Sequence, residues 1–183
     1  NRFYTNCLLN INNVKVKSAE IGARHYAGAA KIMEAIIIGY SVDLWNDIPY
    51  NEALQLNNIR QPKFDAAAGL YLKVQQLLDE GIADLNAESS TSPSTNDLIY
   101  RANNETQWRQ NSRPRWIMLA RAMKARYHNH LSKVDPQGSA TSTLAAIDAG
   151  TFNSNADQPN VVFGSEFAGP WFPFFQTTFG ENN

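Results

Sequence analysis

The sequence predicts a mainly α-helical protein whose antiparallel helices stack like a helical-repeat solenoid, with long irregular loops between them. Three observations lead there. Apolar residues recur at three- and four-residue steps in three long segments, which is one face of an α-helix. Proline, glycine and asparagine clusters bound those segments. Outside them only Val161 to Phe163 reads as a short strand.

Residues 1 to 13 place Tyr4, Leu8 and Ile11 on one side, as the last turns of a helix do. From Ser18 to about Trp45, Ile21, Ala29, Met33, Ile36, Ile37, Tyr40 and Leu44 form the next apolar face, with Ser18 as its N-cap and Glu20 at the positive end of the helix dipole. Pro49 closes this element because it lacks an N–H and forces the preceding residue toward extended geometry. Asp65 can cap the following helix, whose stripe is Leu70, Val74, Leu77, Leu78 and Leu85. Gly69 and Gly81 weaken it by about 1 kcal/mol each relative to Ala, but small residues also allow a neighbouring helix to approach closely.

The segment "AESSTSPSTND", residues 87 to 97, holds almost nothing to bury and reads as an exposed linker. A polar stretch continues to Asn111. A third long helix starts near Pro114, with Trp116, Leu119, Ala120, Met123, Tyr127 and Leu131 on its buried side. A short helix from about Thr141 to Ala149 ends at Gly150. The remainder, rich in Gly, Pro and large aromatics, has no lasting period.

The chain has 183 residues, 43% of them hydrophobic and 18% charged, which suits one globular domain. A net charge of -1 gives no global attraction to nucleic acid or anionic lipid. Cys7 is the only cysteine, so neither an intrachain disulfide nor a cysteine-rich zinc site can form. The longest apolar run, Ala35 to Tyr40, is far shorter than the roughly 20 residues that span a bilayer.

Several chemistries lack their residues. There is no glycine-rich phosphate loop, paired-histidine zinc motif or Gly-x-Ser-x-Gly elbow. His128 and His130 are two apart, so a helix points them in different directions. They and His25 read as solvent-facing or hydrogen-bonded, and no metal or cofactor is expected. Asp43, Asp47 and Glu52 share one loop, but turn-forming and helix-starting roles account for them better than a glycosidase pair, and no catalytic residue is assigned. Between Arg109 and Lys133 lie seven cations and no acid. The net charge requires acids elsewhere to balance them, so the stripe reads as paired cations rather than a nucleic-acid surface. Trp171, Phe172, Phe174 and Phe175 surround Pro170 and Pro173; such rings either form platforms for a sugar face or a partner, or plug the ends of the helices.

The stretch "GYSVDLWNDIPYNEAL" resembles the helix-end signature of the SusD/RagB family of outer-membrane nutrient-binding lipoproteins. Trp45, Asp47, Ile48, Pro49, Tyr50, Glu52 and Ala53 match it, and Asn46 stands where the family has Gly. "QPKFDAAAGLYLKVQQLLDEGIADL" resembles the next family segment through Pro62, Phe64, Asp65, Tyr71, Leu78 and Leu85. "RWIMLARAMKARYHNHLSK" resembles the tryptophan-containing helix through Trp116, Ala120, Met123, Lys124 and Arg126. Asp97 and Tyr100 fit the Asp-x-x-Tyr before it, while Arg101 to Arg115 is longer and more basic than the family pattern.

The resemblance implies tetratricopeptide-like helix pairs with large loops, and residues 1–183 as one domain cut from a longer SusD-like protein. It further implies a lipid-anchored position on the bacterial cell surface, a SusC-like TonB-dependent transporter as partner, glycan or peptide as cargo, and no enzymatic activity. Trp45, Asp47, Pro49, Tyr50, Glu52, Trp116 and Arg126 would be structural, and the aromatic run 171–175 the ligand contact. A helical-repeat interaction scaffold without cargo satisfies the same stripes. If the alignment holds, Trp116→Ala removes a core side chain and costs about 3–5 kcal/mol in chemical denaturation; a variant as stable as the parent places Trp116 on the surface.

Overall fold

The computed structural model describes residues 3–55, 58–161 and 163. A π-helical turn, Phe3–Leu8, leads into α1 (Leu9–Glu20), followed by α2 (Arg24–Trp45) and α3 (Ala67–Asn86). After a long loop come the three-residue α4 (Glu105–Gln107), a second π-helical turn (Trp108–Ser112), α5 (Arg113–Asn129), α6 (Pro136–Asp148) and a 3-10 turn, Asn155–Asp157. The described residues hold no strand, only one antiparallel bridge between Ile48 and Asp65. Val161 and Phe163 have no regular structure, and Val162 lies outside the described residues.

The first boundary differs from the sequence reading. Ser18 does not start a helix. It lies inside α1, buried, and its hydroxyl donates back to Val14 O at 2.6 Å. The break comes at Gly22, whose φ of +67° is a left-handed conformation that glycine adopts at little cost. The buried stripe of α2 is correspondingly His25, Ile32, Ala35, Ile38 and Val42, while Ile21, Tyr40 and Leu44 are exposed. The polar His25 and Glu34 belong to the buried side, which hides the stripe from a hydrophobicity count.

The other end of α2 stops at Asn46, three residues before Pro49, with φ +63° and ψ −105°. On α3 the expected stripe is buried throughout: Leu70, Val74, Leu77, Leu78 and Leu85. Gly81 faces Gly28 so closely that a Cβ on Gly28 would lie 2.8 Å from Gly81 O. Gly69 has open space and plays no such part. At the far end of α2, a Cβ on Gly39 would sit 2.3 Å from the ring of Tyr127, which bridges α5 to α2 and donates to Ile36 O at 3.0 Å. Helix α2 is thus gripped from both sides at its glycines. Helix α6 packs on α5, with Asp135 capping its N-terminus through Gly138 N and Gly150 at φ +103° just beyond its end.

The largest departure is residues 87–97, expected as an exposed linker. They form a seam between the helix pairs. Ser90 N donates to Gly22 O, the Ser89 hydroxyl accepts from His25 N, and Ser92 and Asp97 are buried. Asp97 takes four hydrogen bonds. Its Oδ2 accepts the indole N–H of Trp108 and of Trp116, each at 2.7 Å, and its Oδ1 accepts Ile99 N and Tyr100 N at 2.9 and 3.0 Å. Trp108, unremarkable within a polar stretch of sequence, is fully buried beside the His25 ring. The His25 Nε2–H donates to Ala87 O, and in the neutral imidazole Nδ1 accepts the Ser92 hydroxyl at 2.7 Å.

Two predictions follow from this seam. Asp97→Asn keeps the volume but turns an NH2 toward either the two indoles or the two backbone N–H groups. Buried donors then lose their acceptor, and the loss is expected to reach about 2–4 kcal/mol in urea unfolding; an unchanged midpoint would place the tryptophan donors elsewhere. His25 is held below its ordinary pKa first by burial and then by the nearby Arg109 cation. Its depressed pKa means that the unfolded chain takes the proton more readily, so stability is complete above about pH 6.5 and falls as the pH drops below that value. His128, lowered by burial and Lys124, acts in the same direction. Comparing unfolding midpoints at neutral and acidic pH should give a smaller difference for His25→Gln than for the parent.

Candidate functional site

Three places on the scaffold bear on function: the turn after α2, an apolar groove and a polar cleft. The turn is built to hold helices. Asp65 does not cap α3; its Oδ2 accepts Tyr50 N and Asn51 N, and its Oδ1 accepts the Asn51 amide. Burial works against this carboxylate, yet those donors hold it below the usual carboxyl range. The capping role falls to Asp47, whose Oδ1 accepts Ala67 N at 2.9 Å from across the loop. Glu52 accepts Lys63 N, and Pro49 O accepts the Tyr4 hydroxyl. Tyr50 donates to the buried Glu34, which Lys15 of α1 also reaches at 2.5 Å. Trp45 is half exposed and meets the edge of Phe3.

Of the three carboxylates expected to share one loop, only Asp47 and Glu52 do; Asp43 lies in the last turn of α2. Asp43 accepts the Tyr71 hydroxyl at 2.6 Å and lies 2.8 Å from His130 Nδ1. Several cations between Arg109 and Lys133 are likewise engaged within the chain. Arg109 pairs with Glu105, Arg115 with Asp157 and Lys124 with Asp79. Arg126 is exposed rather than bracing the scaffold. The bracing comes instead from Arg113, which reaches the Leu85 carbonyl in the last turn of α3, and Arg121, which reaches the Gly150 carbonyl beyond the end of α6. Among the described residues no cluster of three or more His, Cys, Asp or Glu could hold a metal, and no helix is long and apolar enough to cross a membrane.

The apolar groove, of about 460 Å³, runs between α1, α2 and residues 93–99; Ile11, Val14, Met33, Ile99 and Val161 line it. The polar cleft, of about 490 Å³, opens beside the second π-helical turn, with Gln107, Gln110, Asn111, Arg115 and Asp157 around Tyr100. Gln107, Gln110 and Asn111 fall in the polar stretch that ends at Asn111, where no periodic pattern marks a site. Trp171, Phe172, Phe174 and Phe175, the expected ligand contacts, lie outside the described residues.

Comparison with known proteins places this geometry. No curated protein matches the chain. Among solved structures, a chitin-binding protein is 28% identical, with a TM-score of 0.71 over 86% of this chain and 32% of its own. A SusD/RagB family protein from Bacteroides thetaiotaomicron is 23% identical, with a TM-score of 0.70 over 85% of this chain and 30% of its own. A chitin-binding SusD homolog from Flavobacterium johnsoniae, 17% identical, superimposes over 97% of this chain and 35% of its own, with a TM-score of 0.77. The chain therefore spans about a third of the length of these proteins. The SusD-like family model described as "Starch-binding associating with outer membrane" matches residues 1–175. With the helix pairs, the signature turn and this match in agreement, the chain belongs to the SusD-like family of outer-membrane-associated binding proteins.

Proposed function

We propose that the chain is the helical part of a cell-surface nutrient-binding protein whose cargo is a glycan. It works beside a SusC-like TonB-dependent transporter and is held at the outer membrane by a lipid anchor. The observation that carries this reading is the family match over residues 1–175, because the family description joins glycan binding to the outer membrane. A chitin-binding structural relative at 28% identity supports glycan over peptide. Residues 1–183 then form one domain of a longer SusD-like protein. Trp171, Phe172, Phe174 and Phe175 supply flat apolar faces against which pyranose rings stack.

Binding without catalysis fits the structural roles of these acids: Asp47 and Glu52 bond backbone N–H groups, and Asp43 at the end of α2 accepts the Tyr71 hydroxyl and lies beside His130. One observation favours a second reading, a helical-repeat scaffold for protein partners: the apolar groove between α1 and α2.

Native protein purified from membranes in mild detergent distinguishes the two. Mass spectrometry is expected to find a comparable amount of a TonB-dependent barrel and an acylated, longer form of this chain. A soluble, unacylated protein that brings no barrel would overturn the uptake reading and put the scaffold first.

A further inference from the structure

The backbone between Arg101 and Arg115 is irregular at two places. Arg101 has φ +46°, a left-handed conformation costly for a residue with a side chain. Trp108–Ser112 forms a π-helical turn, a rare geometry that is frequent at functional sites. Both irregularities are held in place from within. The Ser112 hydroxyl donates to Arg101 O at 2.7 Å, Trp108 is tied to Asp97, and Tyr100 donates to Asp157 O at 3.1 Å. Between them lies the polar cleft of about 490 Å³, a size within the roughly 300–1,000 Å³ typical of small-molecule sites.

We propose that this cleft is a saccharide subsite taking one or two neutral pyranose units, an assignment that rests on the glycan reading above. The chemistry of its walls carries the choice. Gln110 and Asn111 project from the π-helical turn, exposed, and bond no described residue, so their amides can offer a donor and an acceptor side by side. That pairing matches two vicinal ring hydroxyls, each of which both gives and takes a hydrogen bond. The Arg115 guanidinium adds a planar donor fork, only loosely engaged by Asp157 at 3.8 Å. Pro114 and Met118 supply apolar surface for the C–H face of a sugar ring. Opposite charges on Arg115 and Asp157 within one cleft suit a neutral ligand better than a phosphate or a polyanion. The apolar groove is lined mainly by aliphatic side chains, Ile11, Val14, Met33, Ile99 and Val161, which offer a sugar's hydroxyls no partner.

The test uses the full-length protein, with maltohexaose and chitohexaose as probes in isothermal titration calorimetry. The parent is expected to bind at least one of them. The double variant Gln110→Ala/Asn111→Ala, and separately Arg115→Ala, should bind that sugar about tenfold or more weakly, the loss expected when one or two net hydrogen bonds are removed. The double variant should melt as the parent does, because both side chains are exposed and unbonded. Unchanged affinity in all variants overturns the cleft and leaves the glycan reading standing. A parent that binds neither sugar overturns the glycan reading, and the cleft with it.

Discussion

One buried carboxylate, Asp97, joins three parts of the chain at a single point. Its four donors come from its own loop, from the second π-helical turn and from α5. A carboxylate removed from water needs such donors, since a buried charge without them costs several kcal/mol. Two indole N–H groups would be similarly costly if buried alone, so the three side chains satisfy one another. Around this knot the apolar bodies of Trp108 and Trp116 fill the space between the helix pairs, and Tyr100 meets Trp116 edge-on. The loop 87–97 is ordered because its polar groups have buried partners, not because it has apolar ones.

The same economy appears along α2. Glycines at 28 and 39 let α3 and Tyr127 approach its backbone, and each contact depends on the absence of a single Cβ. Its remaining polar groups are paired outward. Glu34 meets Lys15 of α1 and the Tyr50 hydroxyl, while Asp84 of α3 receives both Arg24 and Lys31 from α2. Close packing and buried ion pairs thus fix the helices at defined angles, which is what a binding protein needs from its scaffold. The family turn after α2 belongs to that scaffold. Asp47 caps α3, Glu52 bonds Lys63 N, Tyr50 meets Glu34 of α2, Pro49 accepts the Tyr4 hydroxyl and Trp45 meets Phe3.

The segment between Arg101 and Arg115 adds no helix pair; it lines the polar cleft and is anchored to the core through Trp108. A loop tied at such a point can vary its exposed amides without disturbing the fold beneath.

The sequence by itself determined the helical class, the stripes of α3 and α5, the family turn and the membership they imply. These depend on local period and on short motifs, which a linear reading captures. The roles of Ser18, Asp65 and residues 87–97 were decided only by the tertiary structure. Ser18 looks like a cap, but Gly22 alone can adopt the left-handed turn that separates α1 from α2. Asp65 precedes α3 as a cap should, but the backbone of Tyr50 and Asn51 claims its oxygens, and Asp47 caps from twenty residues away. The polar loop is buried because Asp97, Ser92 and His25 find partners distant in the chain. A side chain's hydrogen-bonding capacity is written in the sequence; which partner satisfies it depends on what folding brings within 3 Å.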